Sequence, residues 1–555
     1  VSYIVIATVV SIIAAVNFLY LWLRVRGVEE KIAFVAALFF LLAGPLLYHS
    51  HKQIMFVNYM PFLIMAFMGV DRYFEKQKPA FMIVSIFLMI MTSYFYSVGG
   101  ILAVTIYGVY SYFEKMKSWS FQSFWKYGSV FAISIICAIF MGGILLLPSL
   151  AAIMNGRIES KIQVSLLQLF LPNFDLSFIV YHCYGVGVTA LGILALLGGV
   201  VSKRKSDRIL AISLLAIFFL PIFMFGLNGG LYVRGKVLIP FLPLVIRMIA
   251  IFLTDMKDEK INVPSFVILT TAIGFLFTFF FASKWRILFA IDMFGVIGCV
   301  YLAWITKRFK ILYVPSLVIA CIICLGINRS DTYEKQSQIA EIENIDKQTA
   351  INEVIDSDPS VYRFQDLTNP LKTINKVYNS RFFKTSIYTS TYNLDYLNLY
   401  ATDFNNANPC SNKIATIDSN NILFLTYMGV KYIVTKDDIP IGYKVIAQEG
   451  DYKIIQNENV FPIGFANTNI MSKSEYDKLA MPYQPIALLQ NIITEKEGAW
   501  KSIDGIQFEK IDLPLMKKDD KYFVKNPKDI YTNVPLEKSL GQDLLILKFH
   551  VKNNT

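Results

Sequence analysis

The sequence predicts a polytopic α-helical membrane bundle of about twelve spanning helices, followed by a water-soluble region of mixed α/β to β-rich texture. Composition, the length of the apolar runs and the placement of basic residues each point there. Of 555 residues, 55% are hydrophobic and only 17% charged, too apolar for an ordinary soluble enzyme. The average hides a split. Up to Ile327 the chain is a series of apolar runs of roughly 17 to 23 residues, each able to cross a hydrocarbon core as a helix. No such run follows Asn328.

The predicted spans are 1–23, 32–48, 55–71, 80–95, 97–113, 126–147, 184–201, 209–226, 236–254, 264–283, 287–305 and 311–327. Every second loop between them is basic: Arg24, Arg26 and Lys31; Arg72, Lys76 and Lys78; Lys115, Lys117 and Lys126; Lys203, Arg204, Lys205 and Arg208; Lys257 and Lys260; Lys307, Arg308 and Lys310. The positive-inside rule assigns these loops to the cytoplasm. The 49–54 turn, a 93–100 hairpin, the 148–183 loop, the 228–235 loop, residues 284–286 and everything after Asn328 are then extracytoplasmic. The net charge of +11 is thus a topology signal, and no nucleic-acid partner is expected. Val1 falls outside in this scheme, which predicts a further helix upstream, and a strand-like run at 544–551 predicts further residues downstream.

The soluble part divides into an α/β domain at 328–499 and the start of a β-sandwich-like domain at 500–555. A charged periodic stretch at 334–355 reads as a surface helix, 360–364, 431–435 and 452–455 read as strands, and 472–497 reads as helical. Of the six cysteines, four lie in apolar helices as small hydrophobes, the Cys321-x-x-Cys324 pair included, and only Cys183 and Cys410 are candidates for the exterior. No disulfide framework is expected.

Candidate chemistry gathers at the loops opposite the basic ones. In Asn228-Gly229-Gly230-Leu231-Tyr232-Val233-Arg234-Gly235-Lys236, two cations, a ring and flexible glycines meet at a helix start, an arrangement suited to a phosphate or diphosphate head. Asn228, Tyr232, Arg234 and Lys236 are the donor-phosphate candidates; the alternative is a pair of snorkelling interfacial cations. The 148–183 loop is long for a bundle connection and supplies Arg157 and Lys161 as substrate contacts and Glu159 and Asp175 as weak candidates for a base. His49 and His51 are candidate headgroup or acceptor contacts. They lack the further ligands a metal site needs, so no metal residue is assigned, and a divalent cation at a leaving phosphate is the sole cofactor the chemistry admits. No nucleotide motif is present, so a donor used outside the cell would be lipid-borne.

The 49–63 turn into Pro61-Phe62-Leu63, the Thr92-Ser93-Tyr94-Phe95-Tyr96-Ser97-Val98-Gly99-Gly100 segment, the 228–236 loop, Met428-Gly429-Val430-Lys431-Tyr432-Ile433-Val434 and Asn459-Val460-Phe461-Pro462-Ile463-Gly464-Phe465-Ala466 together resemble the YfhO family of bacterial membrane proteins. That family is similar to the GT-C glycosyltransferases, which take a sugar from a polyprenyl-phosphate carrier, and its members are implicated in decorating teichoic or lipoteichoic acid in Gram-positive cells. The resemblance therefore implies a multi-pass plasma-membrane enzyme with a polyprenyl-phosphate donor and a teichoic-acid-type acceptor. It places the catalytic acid in a first external loop, which this chain would follow rather than contain. A transporter or flippase of a lipid-linked precursor, and a non-catalytic cell-wall scaffold, are the rival readings.

Overall fold

The computed structural model describes residues 2–116, 120–156, 165–329, 344–389, 393–406 and 415–495 except 441 and 482, together with residues 337 and 340 and two short strands near 520. The chain divides into a helical unit, Val1–Ala151 with Glu159–Lys335, and a second unit, Ala152–Ile158 with Gln336–Thr555.

The helical unit contains α1 (Ser2–Val25), α2 (Glu30–Leu41), α3 (Gly44–His49), α4 (Met60–Lys76), α5 (Ala80–Thr92), α6 (Tyr94–Lys115), α7 (Phe121–Met141), α8 (Gly143–Gly156) up to Ala151, α9 (Leu166–Phe170), α10 (Ala190–Val200), α11 (Lys205–Phe219), α12 (Pro221–Leu227), α13 (Leu242–Lys257), α14 (Val263–Phe280), α15 (Arg286–Thr306) and α16 (Lys310–Arg329). The central element is α13, whose residues from Leu242 to Leu253 are all buried against neighbours that include α1, α2, α10 and α11. A helix apolar all round needs neighbours all round. Peripheral helices instead turn apolar side chains outward, as at Ile4 of α1, Phe140 of α7 and Phe279 of α14, the surface that lipid rather than water would solvate.

The expected count of about twelve spans is not supported. Among the described residues seven helices are long and apolar enough to cross a membrane, or eight if α11 and α12 are one broken span. Hydropathy reads straight through interruptions that the backbone does not. The 32–48 run breaks before Gly44-Pro45 into α2 and α3; the 80–95 run yields a helix of 13 residues and the 184–201 run one of 11; and α11 and α12 meet at 78° before Pro221, whose missing N–H ends the ladder. The 93–100 hairpin contracts to a single joint residue, Ser93, with Gly99 and Gly100 inside α6. Gly99 lets α6 approach the turn before α13 closely: a Cβ there would lie 3.0 Å from Pro240 Cγ and 3.2 Å from the Val237 carbonyl.

The alternate basic loops do meet at one end of the bundle. Arg26 pairs with Asp71 and Glu114, Lys115 with Glu75, Arg204 with Asp207 and Asp255, Lys257 with Glu29 and Lys307 with Glu259.

The second unit is built on a sheet. Its strands are β1 (Arg363–Asp366), β2 (Ile387–Tyr388), β3 (Ala415–Thr416), β4 (Val430–Thr435), β5 (Lys444–Glu449), β6 (Tyr452–Gln456), β7 (Ile470–Ser472) and β8 (Ile492–Thr494). Four of them form one sheet in the order β1-β4-β6-β5, with β1 parallel to β4 and the other pairs antiparallel. Strand β4 buries both faces, Tyr432 and Val434 in one apolar cluster, Val430 and Ile433 in another, as a central strand does. The described helix of the 334–355 stretch, Ile345–Ser357, packs Ile351 and Ile355 into the first cluster, so it is half a core element and not a purely surface one. The predicted 472–497 helix is instead a parallel pair, β7 with β8, joined through short helices at Lys473–Tyr476 and Tyr483–Gln490. Of the 500–555 stretch, the antiparallel strands Met516–Lys518 and Lys521–Phe523 are described; the predicted run at 544–551 lies outside the described residues, as does Cys410.

Candidate functional site

The end of the bundle opposite the basic loops is shaped by the connection between α12 and α13. Gly229 and Gly230 take φ of 71° and 73°, the left-handed turn that glycine accepts without a Cβ clash. Asn228, buried at the last turn of α12, clamps that loop: its Nδ2 donates to the Met224 carbonyl at 2.8 Å and the Arg234 carbonyl at 3.1 Å. A 3-10 turn, Gly235–Phe241, then leads into α13 through Pro240 and Pro243.

This path sets two cations at the mouth of the bundle. Arg234 is exposed, and Lys236 Nζ lies 4.7 Å from the ring centre of Phe95 and 5.5 Å from that of Tyr232. Among the described residues neither cation has a carboxylate partner. Phe95 belongs to the first turn of α6, and the next residue, Tyr96, continues a layer of rings. Tyr96 stacks with Tyr59 at 5.4 Å and meets Phe56 at 5.0 Å, and Phe56 stacks on His49 at 4.2 Å. His49, fully buried at the end of α3, is 3.2 Å through Nε2 from the Cys183 carbonyl and edge-on to Tyr184. Tyr184 donates its hydroxyl to Gln53 at 3.2 Å and its amide to His182 Nδ1 at 2.9 Å. Several buried polar atoms here have no partner among the described residues: Asn58 Oδ1, Asn228 Oδ1, His49 Nδ1 and the hydroxyls of Tyr59 and Tyr96. Unmet polar atoms at one place mark where water or a ligand is expected. A cavity of about 350 Å³ is lined by Tyr48, His182, Tyr184, Ser283, Lys284 and Trp285 among others and shares Tyr184 with this ring layer.

The sequence-predicted residues fall into three groups. Asn228, Tyr232, Arg234 and Lys236 form one locus, and His49 joins its ring layer. His51 is exposed, with Nδ1 3.4 Å from Ser50 Oγ. Asp175 caps a 3-10 turn, its two oxygens engaged by Ser177 and one also accepting from the Ala282 amide at 3.2 Å. Arg157, Glu159 and Lys161 lie outside the described residues. Among the described residues no group of three or more His, Cys, Asp or Glu stands close enough to hold a metal ion.

Sequence reasoning missed the buried Asp292 and Arg247, whereas Asp71, which the sequence marks as an anchor or an ion pair at the end of its helix, does pair with Arg26. Asp292, 1% exposed in α15, accepts from the Tyr181 hydroxyl at 2.6 Å and the Ala190 amide at 2.8 Å, so it tethers the start of α10. A lone aspartate in an apolar span was the signal available. At the basic-loop end, Asp71 accepts from Trp22 Nε1 at 3.0 Å, the Tyr107 hydroxyl at 2.8 Å and Arg26 at 3.2 Å. Arg247 from α13 donates to the Tyr110 hydroxyl at 2.9 Å and lies over the rings of Trp22, Tyr107 and Tyr110.

The fold and this site define a multi-helix membrane protein whose bundle carries a locus of cations and rings at one end. The chain belongs to the family of bacterial membrane protein YfhO, whose model matches residues 1–537. No curated protein and no solved structure matches it.

Proposed function

We propose that this YfhO-family protein is a membrane glycosyltransferase that passes a sugar from a polyprenyl-phosphate donor to a teichoic- or lipoteichoic-acid-type acceptor on the outer face. The observation that carries the reading is the pairing of Arg234 and Lys236 without a carboxylate partner among the described residues, beside buried polar atoms that lack partners. In the transfer, the acceptor hydroxyl forms a new bond to the anomeric carbon while the bond from that carbon to the phosphate oxygen breaks. The departing oxygen keeps the electron pair. Arg234 and Lys236 would meet that growing charge, the kind of stabilisation that lowers a transfer barrier. The acceptor's proton needs a base. Asp175 is committed to its cap, so Glu159→Gln is the variant that tests this role. In this reading the basic-loop end faces the cytoplasm and the second unit lies outside it.

The 78° break between α11 and α12 favours the rival reading, a transporter of a lipid-linked precursor, because broken helices line many transport sites. One reconstitution separates the two. With undecaprenyl phosphate as the probe, Arg234→Ala is expected to weaken binding by about 1.5 to 3 kcal/mol, the scale of hydrogen bonds to charged groups. Unchanged binding in a folded variant would reduce Arg234 to an interfacial anchor. Movement of the lipid across vesicles without sugar transfer would favour the transporter, and binding with neither would favour the scaffold.

A further inference from the structure

The second unit contains a cavity of about 550 Å³ whose lining includes Arg363, Asn375, Lys384, Ser386, Tyr388 and Tyr396. Arg363 opens β1 and its amide is held by the Gly429 carbonyl at 2.9 Å, while its Nη1 donates to the Met428 carbonyl. No carboxylate pairs with this half-buried guanidinium among the described residues, and burial alone pulls its pKa below the ordinary value. A cation held partly out of water without a counter-charge is costly unless a ligand supplies one.

The neighbouring cation is already spent. Lys384 gives Nζ to the Thr373 carbonyl at 2.7 Å and the Lys376 carbonyl at 3.4 Å, and lies 3.7 Å from Asp418. The unmet charge of the cavity therefore belongs to Arg363. Its guanidinium retains free N–H groups in the fork that suits phosphate or carboxylate oxygens.

The rest of the lining has a different character. Tyr388 is 49% exposed, Ile387 42% and Val377 59%. The backbone of Tyr388 is nonetheless held: its amide donates to Asn375 Oδ1 at 2.8 Å and its carbonyl accepts from Asn375 Nδ2 at 2.9 Å. A solvent-exposed ring on an anchored backbone, lining the same cavity as an unpaired guanidinium, offers two contacts to one ligand. A bare inorganic anion would leave the ring unused, and a purely apolar ligand would leave the charge unmet.

We propose that this cavity binds a saccharide bearing an anionic group, phosphate or carboxylate, with the charge on Arg363 and the apolar face of the sugar ring against Tyr388. The site is independent of the locus at Arg234 and does not rest on the transferase reading.

The test uses the full chain in lipid nanodiscs, with glucose 6-phosphate, glucose and inorganic phosphate as probes, read by titration and by saturation-transfer NMR. Glucose 6-phosphate is expected to bind at least about tenfold more tightly than either other probe, the step that one added charge-assisted contact supplies. Arg363→Ala should reduce that binding about tenfold or more, and Tyr388→Ala should weaken it and remove saturation transfer to the sugar-ring protons. Because Arg363 also holds the Met428 carbonyl, Tyr388→Ala, whose backbone bonds survive the change, decides the matter if Arg363→Ala does not fold. Equal binding of inorganic phosphate and glucose 6-phosphate overturns the saccharide. Unchanged binding in Tyr388→Ala, or in a folded Arg363→Ala, overturns the site. Loss of glucose 6-phosphate binding in Arg234→Ala with retention in Arg363→Ala would transfer the ligand to the membrane locus and overturn the inference, whereas failure of lipid-phosphate binding alone bears only on the transferase.

Discussion

At the end of the bundle where the basic loops meet, Asp71, Glu114, Asp207 and Asp255 each face a guanidinium, and Asp71 also collects the indole of Trp22 and the hydroxyl of Tyr107. At the other end, Arg234, Lys236 and Lys284 have no carboxylate partner among the described residues, and rings take its place for Lys236 and Lys284. The same chemical groups thus serve two purposes. A charge matched within the fold ties helices together, since taking one partner away strands the other in a poorly solvated place. A charge resting on a ring keeps its hydrogen-bonding capacity for something outside the protein. On the proposed function, the unmatched cations at this end are the ones that meet the lipid phosphate.

Three changes sharpen or break that contrast. Asp71→Ala should cost about 3 to 5 kcal/mol of stability, the range for breaking a buried ion pair from one side. The measurement is unfolding of the purified chain in mild detergent, and a loss below about 1 kcal/mol would show that the paired end is not what holds α1, α4 and α6 together.

The second unit extends the comparison, for there one buried carboxylate is well matched and another is not. Lys347 at 2.9 Å, with the hydroxyls of Thr368 and Tyr378, holds the Asp366 carboxyl below its ordinary range in spite of burial. Asp418 is buried with Lys384, 3.7 Å away, as its sole cation among the described residues, and burial pushes its carboxyl up to about 6. Between an unfolded value near ~3.9 and that folded value, the folded state binds the extra proton, so Asp418 takes stability away as pH rises through this window. Asp418→Asn should remove the slope, gaining about 1 to 3 kcal/mol on the wild type between about pH 4 and pH 7. Parallel denaturant curves for the two proteins over this interval would disprove the assignment.

The smallest effect on stability is expected at the unmatched end. Lys236→Met retains the aliphatic stem over Phe95 and should change unfolding by less than about 1 kcal/mol, while weakening undecaprenyl phosphate binding. A large destabilisation with intact binding would invert the contrast and place Lys236 among the structural charges.

Much of the membrane locus was legible because it is local. Asn228, Tyr232, Arg234 and Lys236 fall within nine consecutive positions, and a glycine pair followed by prolines is enough to predict a turn into a helix. The ring layer was not legible, since His49 reaches the Cys183 carbonyl across 134 positions, and neither was the contact at the basic-loop end, where Arg247 reaches Tyr110 across 137. Apolar texture located the bundle but miscounted its spans, because a hydropathy average cannot register a ladder broken at Gly44-Pro45 or Pro221. In the second unit the pattern located β4 and β6, whose β-branched residues favour strands, and failed between β7 and β8, where two short strands flank helical turns.

The bend at Pro221 has a mechanical side. Bending α11 away from α12 releases the Phe219 carbonyl from the helical ladder, and the Asn173 amide takes it up at 2.7 Å. Two residues on, Asp175 reaches the Ala282 amide between α14 and α15. The strut from Phe219 through Asn173 and Asp175 to Ala282 couples three connections that are distant in sequence. Straightening the bend therefore breaks the bond from the Asn173 amide to the Phe219 carbonyl and pulls on the 173–177 loop, and through that loop on the α14–α15 turn, as one linkage.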